Sequence, residues 1–169
     1  MRYLSTGLSV LAVLLLLLPA SATAQTTVEV GPRLGISLGD AADIGGDIFL
    51  GADARISSAS LPVVINPAFD YYFVSTDGVS LFNVSLNALY EFTGSDQVFT
   101  PYAGGGLGIV RTSFDAGSFG TGSDTDIGLN LVGGAKFQTG SLQPFVQAKA
   151  KVGGDVSLFN IMGGLLFRF

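Results

Sequence analysis

Eight stretches of alternating apolar and polar residues, a short apolar leader and a sparse charge content predict an all-β fold. The expected architecture is an eight-stranded antiparallel up-and-down transmembrane β-barrel. A chain of 169 residues allows one domain. Charged residues make up 12 % of it, about half the usual roughly 25 %. The 24 glycines are about twice the usual share and disfavour a helical protein. A net charge of −5 excludes an electrostatic nucleic-acid binder, since little is present to neutralise phosphates. The chain has no Cys and no His. It therefore has no disulfide framework, no thiolate metal site and no Ser-His-Asp or Cys-His machinery. No catalytic, cofactor-binding or metal-ligating residue is assigned, and the chain is not expected to be an enzyme.

The first 24 residues read as a cleaved signal peptide. Met1-Arg2-Tyr3 is a short basic start, and Leu8–Leu18 is an apolar run broken by Pro19. Ala22-Thr23-Ala24 then supplies the small-x-small cleavage pattern before Gln25. The run falls short of the 18–20 apolar residues, roughly, that a spanning helix needs. Residues 25–169 form the barrel domain. They hold no apolar run long enough for a spanning helix either, so a membrane would have to be crossed by strands.

The first strand follows from Val28, Val30, Pro32, Leu34, Ile36 and Leu38 against Glu29, Gly31, Arg33, Gly35, Ser37 and Gly39. A turn is expected around 40–46. The second strand covers 47–57 and the third 63–73. The fourth runs from Phe82 to Phe92, and Thr93-Gly94-Ser95-Asp96 is turn chemistry. The fifth spans Phe99–Ile109 through Gly104-Gly105-Gly106, and 111–126 is expected to be the longest loop. The sixth covers 127–138, the seventh 144–152 and the eighth 158–169. Strands of about ten residues, tilted near 40°, project to roughly 26 Å, close to the apolar band of roughly 25 Å on an outer-membrane barrel.

The apolar face carries aromatics at two levels. Tyr90, Phe92, Phe99, Phe137, Phe167 and Phe169 make one girdle, and Tyr71, Phe73, Phe82 and Phe159 the other. Two such levels fit the two interfaces of a bilayer, so this face is expected to meet lipid. The opposite face then lines the lumen. Its charges nearly balance: Glu29, Asp47, Asp53, Asp70 and Glu91 against Arg33, Arg55, Lys136, Lys149, Lys151 and Arg168. Unpaired charge in a closed lumen is costly, so these residues are expected to pair. A first hairpin turning near residue 43 puts Arg33 opposite Asp53 and Glu29 near Arg55, with Arg168 within reach of Glu29 across the closing seam. Phe49, Tyr72, Tyr102 and Phe145 point inward and help to fill the lumen. The outward loops hold Asp40, Asp43, Asp77, Asp115, Asp124, Asp126 and Asp155 against Arg111. Asp124-Thr125-Asp126 lacks the remaining ligands of a calcium loop. The glycine run 104–108 has no following helix, so it does not read as a dinucleotide site.

The Thr100-Pro101-Tyr102-Ala103-Gly104-Gly105-Gly106 strand and the ending Gly163-Gly164-Leu165-Leu166-Phe167-Arg168-Phe169 resemble the small OmpA/OmpX-like outer-membrane barrels. The resemblance covers essentially all of 25–169. It implies a monomeric barrel in the outer membrane of a Gram-negative-type bacterium, in contact with the lipid bilayer and lipopolysaccharide. It also implies that Phe167 and Phe169 form the signal read by the outer-membrane assembly machinery. The expected role is structural, in the envelope, with a side-chain-filled polar lumen. The alternatives are a narrow passive pore or small-solute transporter, and a surface adhesion protein acting through the outward loops.

Overall fold

A computed structural model describes residues 26–94, 98–115 and 120–169. The expected signal peptide, 1–24, lies outside the described residues, as do Ser95 and Asp96 of the predicted turn. The strands are β1 (Thr26–Gly39), β2 (Ile48–Ser58), β3 (Val64–Tyr72), β4 (Val79–Glu91), β5 (Phe99–Asp115), β6 (Thr121–Phe137), β7 (Leu142–Val152) and β8 (Leu158–Arg168). A one-turn helix, α1 (Asp40–Asp43), follows β1. Each strand pairs with its sequence neighbour, and β8 returns to β1, closing an antiparallel eight-stranded barrel. Closure removes every sheet edge along the paired length, which a wall facing hydrocarbon requires.

The alternation read from the sequence sets the two faces. Leu34, Ile127 and Leu131 point outward at 57 %, 60 % and 60 % exposure. Their neighbours Arg33, Gly128 and Asn130 are buried. A soluble ligand-binding barrel has the reverse arrangement. An uncovered apolar wall of this extent suits lipid and not water. The girdle aromatics also point outward. Tyr90 stacks edge-on with Phe92 at 5.1 Å and Tyr71 with Phe73 at 5.8 Å. Phe99 lies 6.2 Å from Phe137. Phe82 is half-buried, 6.0 Å from Phe69. Phe159, Phe167 and Phe169 are exposed.

An eight-stranded wall curves sharply, and glycine permits it. A Cβ on Gly104 would lie 2.0 Å from the Ala88 carbonyl oxygen, and one on Gly106 would lie 2.1 Å from that of Leu86. Both positions face the lumen, where β5 and β4 crowd together. The glycine run is thus a device of curvature.

Three expectations need correction. The β1–β2 register places Arg33 opposite Gly51 and Asp53 opposite Gly31, two residues from the pairing expected of a turn at residue 43. The ladder with β2 ends at Ile36↔Ile48, centred on residue 42, while β1 runs on to Gly39 against β8 before α1 begins. The described part of 111–126 is largely strand, 116–119 lying outside the described residues: β5 and β6 stay paired from Phe99↔Phe137 to Asp115↔Thr121. Its alternating Thr, Ser, Asp and Gly continue the ladder beyond the neighbouring strands. Finally, Asp47 is exposed and does not join the lumen charges. It stands one residue before β2, at the rim, where its carboxylate reaches water.

Leu34→Arg places a cation on the lipid face. It should cost about 2–4 kcal/mol of unfolding free energy in lipid vesicles if the site is near the midplane. Urea titration measures it, and an unchanged midpoint would show the two faces to be assigned backwards.

Candidate functional site

The inward positions of all eight strands fill the barrel, and they sort into layers. Near the end that holds Thr26 and Phe169, β1 contributes Glu29. Its carboxylate accepts from Lys136 Nζ at 3.1 Å and from Arg168 Nη2 at 2.8 Å. Lys136 also pairs with Glu91 at 2.8 Å. Glu29 faces Arg168 across the β1–β8 seam, so this ion pair ties the barrel closed.

The middle layer is drier. Arg33 Nη1 donates to Asp53 at 2.9 Å, and its Nε donates to Asp70 at 2.7 Å. Lys149 reaches Asp70 from β7 at 2.8 Å. Arg55 Nε donates to Asp53 at 3.3 Å and its Nη2 to the Tyr102 hydroxyl at 2.9 Å. The Arg55 guanidinium also lies 4.4 Å from the Tyr102 ring centroid and 4.7 Å from that of Phe145. Aromatic faces partly replace the water a guanidinium loses on burial. An amide relay extends from the same centre. Asn66 donates to Asp53 at 2.9 Å, Asn87 to Asn66 at 3.1 Å and Asn130 to Asn87 at 2.9 Å.

Above this layer, Ser37 donates to Asn160, and Asn160 donates to the Tyr72 hydroxyl. Phe49, Tyr72, Leu81, Val110, Leu158 and Met162 then form an apolar stopper, with Ala41 of α1 buried against it. Two rim carboxylates fasten the β7–β8 connection to it. Asp40 accepts from the Ser157 N–H at 2.7 Å, and Asp126 accepts from those of Asp155 and Val156 at 2.9 and 3.2 Å.

The structure thus brings ten of the eleven expected lumen charges into ion pairs, Asp47 being the exception. The expected Arg33–Asp53 and Glu29–Arg168 pairs form. Glu29 sits opposite Arg55 in the ladder but bonds to Lys136 and Arg168 instead. Lys151 pairs with Asp126, which lies in β6 and not, as expected, in an outward loop. The amides of Asn66, Asn83, Asn87 and Asn130 were also missed as a network. Their signal was in the sequence: each stands at an inward position of its strand.

No family model and no curated protein sequence matches this chain. Solved structures do. The N-terminal β-barrel domain of Pseudomonas aeruginosa OprF is 20 % identical, with 87 % of this chain and 100 % of that one covered at a TM-score of 0.65. Neisserial surface protein A is 15 % identical, covering 85 % and 97 %, at 0.64. The attachment invasion locus protein Ail of Yersinia pestis is 14 % identical, covering 88 % and 100 %, at 0.59.

Arg33→Met should destabilise the barrel by about 3–5 kcal/mol, because it leaves two buried carboxylates short of a partner. Equilibrium unfolding in vesicles would measure this, and a loss below about 1 kcal/mol would show the centre to be hydrated. In strand number, closure and orientation of its faces, the chain has the fold of the small eight-stranded outer-membrane β-barrels.

Proposed function

We propose that this protein is an integral outer-membrane barrel with a structural role in the envelope, and that its lumen is closed to ions. The observation that carries this reading is the filled cross-section. Arg33, Asp53, Asp70 and Lys149 hold one another across the middle with no side-chain exposure, and the stopper around Phe49 and Tyr72 covers them. An ion entering would have to break buried ion pairs and pass an apolar layer. The lipid-facing band and the aromatic girdles support placement in a bilayer, whose outer leaflet on this proposal is lipopolysaccharide. A monomer satisfies this geometry, since closure leaves no strand of the paired wall in need of a partner. Phe167 and Phe169 are exposed at the chain end, available to the assembly machinery.

A second reading has a specific observation of its own. β5 and β6, at 17 residues each, are the longest strands, and their paired outer ends continue past β7, whose Val152 stands opposite Leu129. A hairpin that projects in this way suits contact with a surface partner.

Single-channel recording after refolding into planar bilayers tests the closed lumen. Wild-type protein should stay silent, whereas Phe49→Ala combined with Arg33→Ala should give steps. Steady wild-type steps would overturn the structural reading in favour of a pore. Deleting Phe169 should lower the yield of assembled barrel in cells far more than Phe114→Ala does. Equal yields would remove the assembly-signal role.

A further inference from the structure

The barrel keeps nearly all of its cations inside. Arg33, Arg55, Lys136, Lys149 and Lys151 are buried in the lumen, and Arg168 pairs with Glu29 at the end that holds Phe169. Arg111 on β5 is different. It stands two residues beyond Ile109, so it shares the outward parity of the lipid-facing wall, and it is exposed. Its ladder partners are Phe82 of the girdle on β4 and Thr125 on β6. One step nearer the bilayer, the exposed Val84, Ile109 and Ile127 stand side by side. One step further out, Ser80, Ser113 and Ser123 do so. The outward face therefore changes from apolar to hydrogen-bonding at Arg111, beside a girdle aromatic, which is where lipid headgroups begin.

The carboxylates of the same hairpin are kept off this face. Asp124 and Asp126 have the opposite parity and line a hollow with Phe114, Asp155 and Val156 on the inner side of the hairpin. The first acid on the outward face is Asp115, four residues past Arg111. That is roughly 13 Å along the strand, beyond a screening length of about 8 Å. Arg111 Nη2 donates to Ser123 Oγ at 3.1 Å, and Arg111 joins no ion pair among the described residues. A guanidinium carries five N–H donors in a planar fork, so the bond to Ser123 orients it along the serine row and leaves most of the fork for an anion.

We infer that Arg111, with the hydroxyls of Ser113, Ser123 and Thr125, binds a phosphate monoester in the headgroup of outer-leaflet lipopolysaccharide. The inference rests on the outer-membrane reading above and names the residues that make the contact. A phosphate monoester offers three acceptor oxygens and a charge of about −1.5 to −2 at pH 7. That suits a bidentate guanidinium flanked by hydroxyl donors. The phosphodiester of a phospholipid carries less charge and fewer free oxygens.

The test uses the barrel refolded in nanodiscs of neutral phosphatidylcholine doped with diphosphoryl lipid A. Native mass spectrometry after release counts the lipid A retained per barrel. Wild-type protein should retain it, and Arg111→Gln should lower retention about tenfold. Arg111→Lys keeps the charge but not the fork and should fall between them. Heat-dependent gel mobility checks that each variant closes. Should Arg111→Gln fail to close, Ser123→Ala carries the test, with a several-fold loss expected. Equal retention by wild type and a closed variant would overturn the contact, as would equal retention of dephosphorylated lipid A. Phosphatidylglycerol retained as well as diphosphoryl lipid A would overturn the monoester in favour of a phospholipid. Failure of wild-type protein to insert into any bilayer would overturn the outer-membrane reading, and the contact with it.

Discussion

Burying charge inside a cylinder whose outside is hydrocarbon is the constraint on which this structure depends. The outer face must be apolar, so the polar residues of every strand are turned inward, into a space eight strands wide. A space of that width holds side chains and little else. Each buried ion there loses most of its hydration and must be repaid by a counter-ion at close range. Glu29, Asp53, Asp70 and Glu91 are met by Arg33, Arg55, Lys136 and Lys149, all within the barrel, while Arg168 pairs at the open end with its side chain 46 % exposed.

This matching also specifies the fold. A one-residue slip of any strand turns its lumen residues out to the lipid and its leucines inward. The ion pairs penalise longer slips too, because they connect strands that are not neighbours. Arg33 on β1 joins Asp70 on β3, Lys149 on β7 joins Asp70, and Lys136 on β6 joins Glu29 on β1. Such links span the interior, whereas ladder hydrogen bonds only join adjacent strands. The Glu29–Arg168 pair acts at the seam, where the last strand must find the first. The stopper then excludes water from the outer side, which keeps the central pairs in a low dielectric, where they attract more strongly and are costlier to break.

Much of this was legible in the sequence. Period-two alternation placed the eight strands and their two faces, because a half-buried strand has no other pattern. It also singled out the charges, since an isolated Arg33 or Asp53 among glycines and serines stands out. What it could not give was register. The β1–β2 turn contains a helical turn, and residue counting alone cannot divide such a turn between the strands. The outer parts of β5 and β6 were hidden for another reason. Outside the membrane both faces of a hairpin are wet, so 111–126 shows no hydrophobic alternation to distinguish it from a loop. The same limit misplaced Asp126 among the loop acids. Asp47 failed differently: its parity is right, but parity does not say where a strand meets the rim. The asparagines were passed over because an uncharged amide carries no sign from which to infer a partner.

The most direct test of the account is a double-mutant cycle between Arg33 and Asp70, read as unfolding free energies in lipid vesicles from Arg33→Met, Asp70→Asn and the double variant. If the lumen charges are there to satisfy one another, the losses will not add, with a coupling of about 1–3 kcal/mol. Additivity to within about 0.5 kcal/mol would contradict the account, by showing that the two charges are each hydrated on their own.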